Sequence, residues 1–172
     1  MKKLLFIIFF ALTVFIGNAQ DHLKFNGIAI TGNIEDLTED LVTTKLKKDN
    51  INGNIAMLYG MYGGYATDVI AIFGIPKQLI PFHITVTYPA RNHFNELNKQ
   101  YQDLKQFLIK EYGEPTSTKE DTEFEYNSTF DLKDLGIVEL KMMINQMDNH
   151  CNSIEFSDKI NTEKSEKAMF GE

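Results

Sequence analysis

Residues 80–88 read IPFHITVTY, and a second patterned run, FNELNKQYQDLKQFLIKEYGEP, follows at 94–115. In the first, Ile80, Phe82, Ile84, Val86 and Tyr88 alternate with His83, Thr85 and Thr87. That period of two is what a half-buried strand requires. Pro81 has no N–H to give a ladder and so predicts a strand end or a sheet edge. In the second run, Phe94, Leu97, Tyr101, Leu104 and Leu108 recur at steps of three and four, one stripe of an α-helix. Asn92 is the candidate N-cap, Gly113 offers a left-handed C-terminal residue, and Pro115 forbids continuation. Strand and helix therefore coexist in one compact stretch of chain.

Working outward, Asn33 predicts the start of an earlier helix, with Glu35 and Asp36 in the turn where the dipole favours negative charge. Ile34, Leu37, Leu41, Val42 and Leu46 form its apolar stripe. Lys45, Lys47 and Lys48 fill the expected last turn before Asn52-Gly53 stops it. Most of the remainder reads as strands. Leu23, Phe25, Ile28 and Ile30 open the chain, with Asn26-Gly27 as a bulge. Asp68 to Phe73 is an apolar run fit for a central strand, and Val138, Leu140, Met142 and Ile144 alternate. Cys151 to Phe156 closes the set, and Thr122 to Tyr126 is a weaker candidate. Long strand runs with few intervening helices predict an α+β fold, an antiparallel sheet of about six to seven strands with two amphipathic helices on one face. A shift of sixty positions maps Ile34 onto Phe94, Leu37 onto Leu97, Leu41 onto Tyr101 and Gly53 onto Gly113, the pattern of a tandem helix-plus-sheet duplication.

The N-terminus has its own signature. Lys2 and Lys3 precede an apolar run from Leu4 to Ile16, followed by Gly17, Asn18 and Ala19. That is the layout of a secretory signal peptide, with cleavage after Ala19. The run is well short of the ~20 residues that span a bilayer, and no later stretch is long enough, so no membrane span is expected once the leader is gone. The expected organisation is a leader at 1–19, a single α+β domain at 20–160 and, at 161–172, a mixed-charge tail or frayed helix, the whole delivered to the periplasm or the extracellular space. The 24 acidic against 17 basic residues give a net charge of −7. Losing the two leader lysines makes it more negative, a field that opposes nucleic acid and anionic lipid. Cys151 is the single cysteine, so no internal disulfide forms. The thiol is either buried as a small hydrophobe or paired with another chain.

Several motifs occur in the order His22-Leu23-Lys24-Phe25-Asn26-Gly27-Ile28, Gly63-Gly64-Tyr65, a helix ending Glu111-Tyr112-Gly113-Glu114-Pro115, and Asp158-Lys159-Ile160-Asn161. On these the mature chain resembles a group of small exported proteins of Gram-negative gut anaerobes. That group carries no established activity, so the resemblance transfers no catalytic residue. Tandem helix-plus-sheet units are, more distantly, similar to the architecture of the β-lactamase inhibitor proteins and other periplasmic binding modules, a likeness of fold that assigns no function.

Motifs with chemistry are sparse. The chain has no Gly-x-Ser-x-Gly elbow, no His-Glu-x-x-His and no Gly-x-x-x-x-Gly-Lys. Gly63-Gly64 fits a hairpin turn better than a phosphate loop, since paired glycines meet positive φ without strain. His150, Cys151 and Asp148 offer metal or thiol chemistry, with His83 as a possible complement. Against this, neighbours on a strand point to opposite faces. The carboxylates from Glu120 to Glu125 read as an acidic hairpin with one wet face, and Asn127-Ser128-Thr129 reads as a surface loop. Tyr59, Met61, Tyr62 and Tyr65 cluster around flexible glycines. Such residues are enriched at recognition surfaces, which makes Tyr59, Tyr62 and Tyr65 the candidate binding residues. The alternative is that Met57, Tyr59 and Met61 alternate inward as core. The resulting expectation is an exported, non-enzymatic module binding a protein or peptide, with no cofactor and no metal. The competing expectation is a metal- or thiol-dependent hydrolase using His150, Cys151 and His83.

Overall fold

The structure is a computed structural model, and it describes residues 21–122, 125–144 and 150–171. The leader at 1–19, Glu123 and Phe124 of the acidic hairpin, and Asp148 lie outside the described residues. The fold opens with a short hairpin, β1 (Lys24–Phe25) and β2 (Ile28–Ala29). Asn26 and Gly27 turn it at φ of 52° and 81°. Positive φ at both central residues is the requirement of a two-residue hairpin, so this pair makes a turn and not a bulge. Helix α1 (Ile34–Thr43) begins as expected, the Asn33 side chain accepting from the N–H groups of Glu35 and Asp36. It stops earlier than expected. Lys45 adopts φ 76°, and Lys47 and Lys48 enter strand β3 (Lys47–Asn52), which pairs with β4 (Ile55–Tyr59). Charged side chains suit the last turn of a helix and also an exposed sheet edge, so their charge does not separate the two settings.

From β4 the chain passes through a second small hairpin, β5 (Met61–Tyr62) and β6 (Tyr65–Ala66), into β7 (Val69–Gly74) and β8 (Pro81–Thr87). Helix α2 (Phe94–Tyr112) precedes β9 (Ser117–Thr122), β10 (Glu125–Asp131), β11 (Gly136–Ile144), β12 (His150–Asp158) and a third helix, α3 (Lys159–Phe170). One antiparallel sheet of eight strands runs in the order β3-β4-β7-β8-β12-β11-β10-β9. The α+β class is as expected; among the described residues there are three helices in place of two, and the main sheet has eight strands in place of six or seven. Outward from the β8–β12 junction, each half is a run of four strands introduced by one helix. Ile34 and Phe94 both open helices, and Leu37 with Leu97 and Leu41 with Tyr101 are buried at matching positions, but the sixty-residue correspondence fails at its last pair. Gly53 turns the β3–β4 hairpin while Gly113 caps α2, because α2 has 19 residues and α1 has 10.

Pro81 does not mark an edge. β8 lies between β7 and β12, and the proline is its first residue, beside a register shift that spares the ladder. Asn127-Ser128-Thr129 lies within β10 and not in a loop, with Ser128 buried against the Tyr101 hydroxyl at 2.8 Å. Residues 161–170, expected as a mixed-charge tail or a frayed helix, are helical. The Asp158 carboxylate accepts from Asn161 N–H at 2.9 Å, and Asn161 Nδ2 donates to the carbonyls of Ile30 and Pro81, both at 2.9 Å. These polar ties, not an apolar stripe, hold α3, which is why periodicity did not reveal it.

The core occupies one face of the sheet. Leu58, Ile70, Ile72, Ile84, Val86, Ile154 and Phe156 are all within 1% of full burial, against Leu37 and Leu41 of α1 and Leu97, Tyr101, Leu104 and Leu108 of α2. Each buried aliphatic side chain contributes about 1.5–3 kcal/mol relative to exposure. Phe94 leaves the expected α2 stripe. It stays exposed and lies edge-on to Tyr126 with centroids 5.9 Å apart.

Candidate functional site

The register of the central strands divides the sheet into two unlike faces. Ile154 sits opposite Val86, and Phe156 opposite Ile84, on the core side. By alternation, residues 153, 155 and 157 of β12 and residues 83, 85 and 87 of β8 share the second face. Helices α1 and α2 pack on the first face and do not cover the second, while α3 packs against β8, β11 and β12. It carries Met57 and Tyr59 from β4, Ala71 and Phe73 from β7, and Glu139 and Lys141 from β11. Tyr59 is 43% exposed and Ile137 42%. The Lys47 ammonium lies 6.0 Å from the Tyr59 ring centroid, and the two residues are paired in register.

This second face is apolar on one side and charged on the other. Toward β4 and β7, Met57, Tyr59 and Phe73 form an exposed to half-buried apolar strip. Toward β11, Lys141 Nζ lies 2.9 Å from Glu139 Oε2 and 2.8 Å from Glu155 Oε2. Burial alone would lower the Lys141 pKa, but the two glutamates outweigh it and hold the ammonium charged. Between the two sides stands His83. Its Nδ1 is 3.0 Å from Ser157 Oγ, its Nε2 is 3.0 Å from Thr85 Oγ1, and its ring centroid is 5.7 Å from that of Phe73. Burial pushes the His83 pKa down, with Glu155 acting in the opposite sense, so the imidazole is neutral near pH 7.

A neutral imidazole beside a serine hydroxyl can accept a proton, but acyl transfer also needs donors aimed at a developing oxyanion. Here β12 is paired on both sides, by β8 and β11, and its backbone N–H groups serve the ladder. Nor does the hydrolase constellation assemble. His150 and Cys151 are successive strand residues on opposite faces, and His83 stands opposite Ser157. Six residues of β12 therefore separate His83 from Cys151, about 20 Å at ~3.3 Å per residue. Cys151 is buried, and burial, then the Asp68 carboxylate, pushes its thiol pKa up. The thiolate needed for nucleophilic chemistry is thereby disfavoured. Among the described residues no group of three or more His, Cys, Asp or Glu is placed to hold a metal ion.

The three candidate tyrosines separate. Tyr59 lies on the open face. Tyr62 does not: it is 4% exposed and packs on Phe25 and Phe107 with centroids 4.8 and 5.2 Å apart, and burial raises its pKa. The β5–β6 hairpin folds onto the helix-bearing side, where a Cβ on Gly63 would meet Leu104 Cδ2 at 2.6 Å. Tyr65 is half-buried on that same hairpin and donates to Asp103 Oδ2 of α2 at 2.5 Å. That hydrogen bond, then burial, raises its pKa. Tyr62 and Tyr65 thus fasten the hairpin to the core and belong to no common surface with Tyr59. The inward set in this region is Ala56, Leu58 and Tyr62, one step out of phase with Met57, Tyr59 and Met61.

Glu139, Lys141, Glu155 and Phe73 were not singled out by sequence reasoning. The alternation around Val138, Leu140 and Ile154 places their neighbours outward, and that signal identifies Glu139, Lys141 and Glu155 as face residues. What no single strand reveals is the register that sets them side by side. No family model, curated protein or solved structure matches the chain.

Proposed function

We propose that this chain is an exported, non-enzymatic binding module that engages a protein or peptide partner through the open face of its eight-stranded sheet. One observation carries the reading: the face left uncovered by α1 and α2 holds the apolar strip of Met57, Tyr59 and Phe73 on one side of β8 and the Glu139–Lys141–Glu155 cluster on the other. Apolar area flanked by charge is the composition of a recognition surface. The sheet edges are less suited to a partner strand. β3 carries Lys47, Lys48 and Asp49 and a register shift, and β9 carries Lys119 and Glu120. Charged, bulged edges resist added strands. The repeated helix-then-four-strands connectivity supports reading the fold as a tandem duplication, with the open face spanning both halves. The leader pattern at 1–19 supports cleavage after Ala19 and delivery to the periplasm or beyond.

The test is competition on the face itself. Once a partner has been identified by cross-linking, the Tyr59→Ala/Phe73→Ser double variant should weaken its binding by tenfold or more while the circular dichroism spectrum is kept. Unchanged affinity in a folded double variant would refute the assignment of the binding face.

A further inference from the structure

We propose that the open face receives a basic side chain of a protein partner, an arginine or lysine flanked by apolar residues, between Glu139 and Glu155. This inference rests on the reading of the open face as the binding surface and adds the chemistry of what binds there.

The β11–β12 register sets Glu139 directly opposite Glu155. Directly opposed residues on one face have Cβ atoms about 4.5–5.5 Å apart, and like charges so placed destabilise the pair. A single ammonium, Lys141, answers both carboxylates. Neither glutamate has another hydrogen-bond or ion-pair partner among the described residues, so the cluster keeps one uncompensated negative charge. The side chains of all three are between 27% and 30% exposed, open to a partner yet partly shielded from water. His83, the other titratable group at the centre of the face, does not supply the missing charge, because burial keeps it neutral.

A second, independent observation lies on the same patch. Ser153 is fully buried, shares the face with Glu155, and stands in register with both Lys141 and Thr87. Its hydroxyl has no hydrogen-bond partner. A buried hydroxyl left unpaired is costly, and this one stands on the same strand face two residues from Glu155. A guanidinium presents five donors in a planar fork and pairs bidentately with carboxylate. The apolar strip of Phe73, Ala71 and Met57 lies on the same face across β8 from the cluster, about 10 Å from β12 at the usual strand spacing. It suits apolar groups neighbouring that cation.

The experiment pans a displayed random dodecapeptide library on the immobilised protein and measures selected peptides against variants of known fold. The expected result is enrichment of arginine or lysine beside apolar residues. Affinity should fall at least tenfold in Glu139→Gln/Glu155→Gln, and less in Glu155→Gln alone, which guards against a folding defect in the double variant. The loss should shrink as salt is raised. Peptides that depend on Tyr59 and Phe73 but show no preference for basic residues would overturn this inference and leave the binding face standing. Selected peptides indifferent to Tyr59, Phe73 and both glutamates would overturn the two together.

Discussion

Asp158 is the residue on which most of the molecule's ends converge. Fully buried, its carboxylate accepts from the Leu23 N–H and the Asn161 N–H, both at 2.9 Å, and lies 3.1 Å from His22 Nδ1. It thereby ties the first strand, the end of β12 and the start of α3 at one point. Asp158→Ala leaves those donors buried without an acceptor, and a loss of about 3 kcal/mol or more is expected in urea denaturation. A change below about 1 kcal/mol would remove Asp158 from this role. His83 makes a different prediction. Its folded pKa is depressed, chiefly by burial, so the unfolded chain binds the proton more readily. Stability is then full above the ordinary histidine value of about 6.5 and declines as pH falls below it. His83→Gln should flatten that part of the pH–stability curve, and an unaltered slope would mean that another group sets it.

At the scale of elements, Gly136 shows how closely the pieces meet. It opens β11 at φ 134°, and a Cβ there would stand 2.1 Å from the Ser157 carbonyl oxygen of β12. Because that neighbour is backbone, nothing flexible can give way. Gly136→Ala should therefore cost several kcal/mol, on the order of the largest single-site effects, and displace the β11–β12 amide signals in NMR spectra. Gly64→Ala, with open space around it, should cost less. The legible elements were those with a strong period. Val86 and its alternating neighbours announced β8, and the Leu97-to-Leu108 stripe announced α2. β3 was hidden because Lys47-Lys48-Asp49-Asn50 has edge composition and no apolar alternation, and α3 because Asn161 and Ser165 replace an apolar stripe. The site was legible only in part. Tyr59 emerged from composition, but the folding of Tyr62 onto Phe25 depends on a hairpin docking across the chain. The pairing of Glu139 with Glu155 depends on register between strands, and neither is encoded locally.

For the whole molecule, two claims remain open to direct test. The described fold uses His22 and Leu23 at Asp158 and buries Phe25, so a mature chain beginning at Gln20 keeps every one of these contacts. N-terminal sequencing of protein recovered from cells should begin at Gln20. A start at Met1 would contradict export by cleavage, and a start beyond Leu23 would contradict the anchoring at Asp158. The central claim concerns the two unlike faces of the sheet: one packed against α1 and α2, the other free to bind. Site-specific photo-cross-linking in the producing cells tests it most directly, with the probe placed at Tyr59 or Phe73 on the open face and at Glu35 or Lys99 on the helices. The account predicts a discrete cross-linked protein from Tyr59 and Phe73, and none from the two helical positions. The same adduct from Glu35 and Lys99, with none from Tyr59 or Phe73, would place the partner on the other side and contradict it.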